Sequence, residues 1–212
     1  SEAVRSIRTS ISLLAIDKPL QVIEVTSSIP EEGKSTVSSN IAFAYAQPEK
    51  VLLIDADMRK PTVAKRFGLP AFQPGLANYL AETESLADCI VTDEKSGVDI
   101  LAAGAIPLNP LELLSNPRFE ALLTELKSRY SKIIIDTPPV HAVSDALVLS
   151  RFADAVVVVV KADHTRSGLI QLSLSKLVTA HAKVFGVVLN DLDMKKAEKY
   201  LSWAKDNSTD KS

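Results

Sequence analysis

The sequence predicts an α/β fold with a mostly parallel central sheet that helices cover on both faces. Short runs rich in β-branched residues alternate with longer amphipathic stretches, and this strand–helix–strand repeat is typical of parallel sheets. Several short runs, such as residues 133–135 and 156–160, are continuously apolar. A continuous apolar run indicates a strand buried on both faces, so helices are expected above and below the sheet.

The same patterns place six strands and six helices along the chain. The strands are predicted at residues 22–27, 51–56, 98–102, 132–136, 155–161 and 184–190. The helices are predicted at residues 2–14, 34–46, 117–129, 144–152, 166–180 and 195–205. We expect the 212 residues to form one domain, with an N-terminal helix within residues 2–15 and a polar C-terminal tail over residues 205–212.

Composition and charge argue against nucleic-acid binding, an internal disulfide and a membrane-spanning segment. The chain has a formal net charge of -2, whereas nucleic-acid-binding proteins usually have an excess of basic residues, so no nucleic-acid partner is expected. The single cysteine, Cys89, cannot form an internal disulfide and is predicted to be a small core residue. No apolar run approaches the roughly 20 residues that span a bilayer, so we expect this fragment itself to be soluble.

A phosphate-binding loop is predicted between the first strand and the helix at 34–46. Residues 28–36 read SIPEEGKST, close to the G-x-x-x-x-G-K-[ST] motif in its required context of strand, loop and helix. Gly33 lets the backbone approach the phosphates, and Lys34 places a charge on the β- and γ-phosphates. Ser35 is the expected Mg²⁺ ligand, and Thr36 is placed for the α-phosphate. The predicted fold class is therefore a P-loop NTPase that binds ATP and Mg²⁺.

Two parts of this loop depart from the general motif. Ser28 stands where the motif has its first glycine, and Glu31 and Glu32 lie inside the loop. Two carboxylates would repel a triphosphate unless they point away from it. Ser28 and Glu32 are nonetheless included among the candidate nucleotide-binding residues. Asn190, at the end of the last strand, either reads the adenine edge or is a turn asparagine.

Carboxylates follow two further strands. Alternation along a strand puts Asp55 and Asp57 on the same side, where they need a shared cation or proton, unless one of them caps the next helix. Asp136 ends the apolar run 133–135, which is the Walker B pattern of a carboxylate that orients Mg²⁺. Because ligands bind beyond the carboxyl ends of parallel strands, we expect these groups to converge with the phosphate loop.

Taken together, these motifs resemble those of the cytoplasmic kinase domain of bacterial tyrosine kinases of the polysaccharide co-polymerase type, which are relatives of MinD/ParA-like ATPases. The resemblance covers nearly the whole chain. It rests on residues 2–9 (an E-x-x-R-x-x-R element), 30–35 (Walker A), 55–61 (Walker A′), 104–114, 136–139 (Walker B) and Asp145.

The resemblance implies a single kinase domain over residues 1–212 that acts as an ATP-dependent protein-tyrosine kinase. Lys34 and Ser35 would hold ATP and Mg²⁺, and Asp57 and Asp136 would position the metal. Asp55 would accept or orient the proton of the attacking tyrosine. The implied location is the cytoplasmic face of the bacterial inner membrane, and the implied role is regulation of exopolysaccharide or capsule synthesis and export.

The resemblance also implies partners. Glu2, Arg5 and Arg8 recur every three residues and would join subunits into a homo-oligomeric ring, although an exposed helix with an intrahelical Glu–Arg pair is the alternative. One subunit would phosphorylate the tyrosine-rich C-terminal tail of the next. A membrane-spanning co-polymerase part would lie on the same chain or on a partner. The four tyrosines of this sequence, Tyr45, Tyr79, Tyr130 and Tyr200, form no such tail, so either the tail lies outside these 212 residues or the protein is not its own substrate.

Two other functions fit a P-loop chain. A MinD/ParA-like switch ATPase dimerises on binding ATP, but such proteins usually carry a second lysine early in the phosphate loop, where residues 27–29 read Ser-Ser-Ile. A non-catalytic assembly module would bind nucleotide only to organise an export complex. The intact set of a lysine, a hydroxyl and three strand-end aspartates argues against that module.

Overall fold

A seven-stranded sheet forms the centre of the computed structural model, which describes residues 2–15 and 18–199. The strands are β1 (Val22–Ser27), β2 (Val51–Asp55), β3 (Ile90–Thr92), β4 (Asp99–Leu101), β5 (Lys132–Asp136), β6 (Ala155–Lys161) and β7 (Val184–Asn190). Their order across the sheet is β3-β4-β2-β5-β1-β6-β7. In the described part of the chain every neighbouring pair is parallel except β3 and β4. This confirms the predicted mostly parallel sheet.

The helices alternate with these strands. They are α1 (Glu2–Leu14), α2 (Lys34–Ala46), α3 (Val63–Arg66), α4 (Leu76–Leu80), α5 (Leu86–Cys89), α6 (Pro110–Ser115), α7 (Pro117–Arg129), α8 (Asp145–Ser150) and α9 (Ser167–Thr179), and residues 194–199 are also helical. The predicted helices at 2–14, 34–46 and 117–129 have these bounds, whereas α8 and α9 are shorter than predicted. The end of the predicted helix 195–205 and the polar tail lie outside the described residues.

Four short helices and β3 were not predicted. Each of α3 to α6, and β3, has between three and six residues, too few for an apolar period to emerge. Local capping signals do mark two of them. The side chain of Asn109 accepts a hydrogen bond from the amide of Glu112 and Pro110 begins α6, and the side chain of Ser85 accepts from the amide of Asp88 at the start of α5. The α7 helix begins in the same way, with Asn116 as its cap.

Both faces of the sheet are buried, as the continuous apolar runs predict. On β6, Val158 packs into one apolar cluster with Leu122 of α7, while Val157 packs into a second cluster with Ile41 of α2. Each fully buried side chain of this kind contributes roughly 1.5–3 kcal/mol relative to an exposed one. Cys89 lies fully buried in the first cluster, which confirms its predicted place in the core.

The register of the central strands decides where the polar side chains meet. Asp55 at the end of β2 lies opposite Asp136 at the end of β5, and Asp136 lies opposite Val25 of β1. The carboxyl ends of three adjacent strands therefore lie together. The connections that follow them, residues 28–33, 56–62 and 137–144, meet at one edge of the sheet.

Candidate active site

A cleft of about 370 Å³ opens at this edge of the sheet. One wall is the phosphate loop with the first turn of α2, the second is the segment 57–66, and the third is the segment 138–143. This is the expected position for a ligand of an open parallel sheet, beyond the carboxyl ends of its strands.

The phosphate loop turns into α2 at Gly33. Its φ of 88° lies in the left-handed region, and a Cβ added there would lie 2.1 Å from Nδ2 of Asn190. Glycine alone meets both conditions without strain. The turn places Lys34 and Ser35 in the first turn of α2, where unpaired amides and the helix dipole favour an anion such as a phosphate.

Lys34 lies between two of the three strand-end carboxylates. Its Nζ is 2.8 Å from Oδ2 of Asp57 and 3.8 Å from Oδ2 of Asp136. Ser35 donates a hydrogen bond of 2.5 Å from Oγ to Asp136 Oδ2. Burial opposes the charge on Lys34, but the carboxylates, Asp136 foremost and Asp55 last, outweigh it and raise the pKa of Lys34.

The charges of this cluster suit a divalent cation. Three carboxyl groups lie around one lysine, and burial raises the pKa of Asp136 although Lys34 and Ser35 partly offset it. Asp136 Oδ1 is buried and has no hydrogen-bond partner among the described residues. Within residues 2–15 and 18–199, no group of three or more His, Cys, Asp or Glu has metal-binding geometry. Mg²⁺, however, is commonly held by one or two carboxylates together with substrate phosphates. The cluster therefore fits Mg²⁺ bound with a nucleotide.

Asp55 lies behind the cleft and is fully buried. Its Oδ1 accepts a hydrogen bond from the amide of Asp57 at 3.1 Å, and its Oδ2 accepts from the amides of Thr62 and Val63 at 3.1 and 3.0 Å. It thus caps α3 and fixes the segment that carries Asp57. Burial, with the nearby Asp136 charge, raises the pKa of Asp55 to about 7.

The two loop glutamates point in different directions. The Glu32 carboxylate is buried beneath the loop, where Oε2 accepts from the amides of Ser28 and Ile29 at 2.7 and 2.9 Å. Its Oε1 accepts from the amide of Lys161 and the hydroxyl of Thr165. Glu32 therefore holds the loop in shape and ties it to the end of β6. Exposed Glu31 lines the cleft instead and has a left-handed φ of 67°.

The remaining nucleotide candidates lie around the loop. Thr36 lines the cleft, whereas Ser28 is buried below it and its Oγ has no partner in the described part of the chain. Asn190 packs behind Gly33 and donates a hydrogen bond of 3.0 Å to the carbonyl of Glu32. The proposed contact of Asn190 with adenine stays a prediction, because its amide is used here to support the loop.

Two charged residues of the site were assigned no role from the sequence. Arg59 lines the cleft and donates two hydrogen bonds of 3.2 Å, from Nε and Nη2, to the carboxylate of Asp145. Asp145 is the first residue of α8 and its side chain is fully buried. The pair therefore joins the second wall of the cleft to the start of α8, which follows the third wall. Arg59 lies in the Walker A′ run and Asp145 follows Walker B, but 86 residues separate them, so the sequence does not indicate that they meet.

The three residues predicted for oligomerisation have different surroundings. Glu2 and Arg5 are exposed on α1. Arg8 instead contacts its own subunit, where Nη1 donates a hydrogen bond of 2.9 Å to the carbonyl of Ala44 and the guanidinium lies 5.2 Å from the centre of the Tyr45 ring. Arg8 thus holds α1 against the end of α2, and the oligomeric role of the three residues stays a prediction.

Comparison with known proteins assigns the chain to a family. The AAA domain family matches residues 21–184. The tyrosine-protein kinase YwqD of Bacillus subtilis is 37% identical over 201 residues, which are 94% of this chain and 84% of that protein. The chain belongs to the family of bacterial tyrosine-protein kinases that includes YwqD.

Solved structures of the same tyrosine-kinase family share its fold. The VpsO kinase domain is 47% identical with a TM-score of 0.84, covering 90% of this chain and 94% of that one. The kinase domain of Escherichia coli ETK is 35% identical with a TM-score of 0.86, covering 89% and 74%. MinD from Pyrococcus horikoshii, complexed with Mg-ADP, has 23% identity and a TM-score of 0.66, so it shares the fold alone.

Several members of the family are much longer than this chain. The match spans 27% of the tyrosine-protein kinase ptk of Acinetobacter johnsonii. Within residues 2–15 and 18–199, no helix combines the length and the apolar composition needed to cross a bilayer.

Proposed function

We propose that this member of the tyrosine-kinase family transfers the γ-phosphoryl group of Mg·ATP to tyrosines in the C-terminal tail of a neighbouring subunit. The observation that supports this proposal is the position of Lys34 at the start of α2, between Asp57 and Asp136, and Oδ1 of Asp136 has no hydrogen-bond partner among the described residues. A pure nucleotide-dependent scaffold does not need three carboxylates around the phosphate lysine.

Each residue of the cluster has a definite binding task. The amides of the phosphate loop and the charge of Lys34 bind the β- and γ-phosphates. Ser35, Asp57 and Asp136 would hold Mg²⁺, which would neutralise charge on the phosphate oxygens. When a phosphate takes over the contact with Lys34, the carboxylates that now hold that lysine become free for the metal.

The transfer step requires little covalent chemistry from the protein. The phenolic oxygen forms a bond to Pγ while the bond from Pγ to the β,γ-bridging oxygen breaks, and ADP leaves with that electron pair. The phenolic proton passes to Asp55, whose pKa of about 7 suits a general base near neutral pH. Asp55 does not line the cleft in this structure, so direct contact with the phenol requires a local rearrangement of the residues next to Asp55.

The proposed partners follow from the family and from the length of its members. Because this chain spans about a quarter of some relatives, we place a membrane-spanning co-polymerase part on the same polypeptide or on a partner. The kinase would then act at the cytoplasmic face of the bacterial inner membrane to regulate exopolysaccharide or capsule export. Exposed Glu2 and Arg5 on α1 would contact the next subunit of a homo-oligomer.

A labelling experiment tests the reaction. The domain is incubated with Mg²⁺, γ-labelled ATP and a tyrosine-rich peptide, beside the variants Lys34→Met and Lys127→Met. Lys34→Met should lower peptide labelling by at least about a hundredfold, since a charge that stabilises the transition state is lost. Lys127 is exposed on α7, away from the cleft, so Lys127→Met should label like the unaltered chain. Robust ATP hydrolysis without peptide labelling, or ATP-driven dimerisation alone, would favour the switch ATPase instead.

A further inference from the structure

In the part of the chain that the structure describes, four cations line the cleft, and two of them have no carboxylate partner. Lys34 and Arg59 are paired with Asp57 and Asp145. Among residues 2–15 and 18–199, Lys60 and Arg66 form no ion pair. Arg66 Nη2 donates a hydrogen bond of 2.7 Å to the uncharged hydroxyl of Thr36.

Both unpaired cations lie at the mouth of the cleft. Lys60 and Arg66 are exposed, whereas Lys34 and Asp57 are buried in its floor. They lie on the same wall, formed by the segment 57–66, and that wall bounds the space above the phosphate loop. Exposed Glu31 also lines the cleft, so the described opening carries two unpaired cations against one carboxylate, and this net positive charge attracts negative groups.

The phosphates of the nucleotide already have partners deeper in the cleft. The amides at the start of α2 and Lys34 serve them, as proposed above. A tyrosine that attacks Pγ must approach from the side opposite the leaving ADP, so the residues on either side of it cross the mouth of the cleft. Lys60 and Arg66 are therefore placed to contact the residues that flank the tyrosine rather than the tyrosine itself.

We propose that Lys60 and Arg66 select an acceptor whose tyrosine is flanked by acidic residues. The inference rests on the proposed function for the identity of the occupant, a tyrosine-bearing segment. Exposed ion pairs are individually weak and are screened by salt, so each cation should change affinity by about two- to fivefold at low ionic strength.

Peptide binding tests this selectivity without requiring phosphoryl transfer. Two fluorescent peptides of equal length, with one tyrosine flanked either by glutamates or by glutamines, are titrated with the domain in Mg·ADP and followed by anisotropy. The glutamate peptide should bind several-fold more tightly, and high salt should remove the difference. Lys60→Gln and Arg66→Gln should each weaken its binding by about two- to fivefold and leave the glutamine peptide unaffected. Glutamine at position 66 retains an N–H donor for Thr36.

Lys65 provides the matched control. It is an exposed lysine beside Arg66 on α3 but does not line the cleft, so Lys65→Gln should keep the full preference. Equal binding of the two peptides by the unaltered domain would overturn the inference. So would an equal loss in Lys65→Gln, or variants that weaken ADP rather than the peptide. Peptide selectivity without any labelling would refute the proposed phosphoryl transfer and leave the acidic selectivity standing.

Discussion

Glu24 should make the stability of this domain fall as the pH rises. It lies in the middle of β1 and is fully buried. Its Oε1 accepts a hydrogen bond of 2.9 Å from the hydroxyl of Thr137, and its Oε2 has no partner among the described residues. Burial, only partly offset by Thr137, raises the pKa of Glu24 from 4.5 to about 8.

The sign and size of the effect follow from proton linkage. Between pH 4.5 and about 8 the folded chain keeps a proton on Glu24 that the unfolded chain has lost. The stability that this proton confers is fully present below pH 4.5 and is lost as the pH rises through about 8. The slope is about 1.4 kcal/mol per pH unit, or roughly 5 kcal/mol over the whole interval.

The substitution Glu24→Gln isolates this contribution. Glutamine is neutral at every pH and keeps an oxygen for Thr137, so other titrating groups cancel when the variant is compared with the unaltered chain. Urea unfolding followed by circular dichroism at pH 5, 6, 7 and 7.5 should show the variant gaining about 1.4 kcal/mol per pH unit relative to the unaltered chain. A buried amide with an unpaired N–H adds a cost, but that cost does not depend on pH.

Glu120→Gln is the control, since Glu120 is an exposed carboxylate on α7. That variant should stay within about 0.5 kcal/mol of the unaltered chain at each pH, as is usual for a surface substitution. Parallel stability curves for Glu24→Gln and the unaltered chain would refute the reasoning. Glu24 would then ionise at the same pH in the folded and the unfolded chain.

Two further pairs of substitutions test the phosphate loop and the Arg59–Asp145 ion pair beside the cleft. Gly33→Ala should destabilise the domain by about 1–3 kcal/mol and weaken nucleotide binding, because its φ is 88° and its Cβ would meet Asn190. Gly168→Ala is the control, because Gly168 lies in the first turn of α9 with open space around it, and it should stabilise the domain by up to about 1 kcal/mol. Equal shifts in melting temperature for the two alanine variants would contradict this prediction. Arg59→Gln leaves buried Asp145 without its cation and should cost about 2–3 kcal/mol in urea unfolding. Asp145→Asn should cost only about 1 kcal/mol, because the side chain of Arg59 is 39% exposed and can turn to solvent. A larger loss of stability in Asp145→Asn than in Arg59→Gln would contradict this reasoning.

Much of the fold could be read from short-range patterns. The bounds of β1, β5, β6 and β7 agree with those predicted, because apolar strands and the turns that end them are local features. The short elements between β2 and α6 could not be predicted in the same way. Strand β3 pairs antiparallel with β4. This pairing depends on packing against neighbouring strands, which the sequence of a three-residue strand does not reveal.

The candidate site residues could also be predicted from local sequence patterns. Gly33, Lys34 and Ser35 are adjacent, and Asp57 and Asp136 each follow an apolar strand, so sequence alone predicted that they converge. The register of β2 beside β5 brings the two strand ends together. The ion pair from Lys34 to Asp57 agrees with that expectation.

The sequence by itself thus determined the sheet, the phosphate loop and the set of charged residues, because each depends on residues near one another in the chain. Only the tertiary structure decided what several of those residues contact. Glu32 turns inward to the end of β6, Asp55 caps α3 behind the cleft, and Arg59 pairs with Asp145. The partners of Glu32 and Arg59 lie 129 and 86 residues away, and packing of the sheet and helices alone brings such partners together.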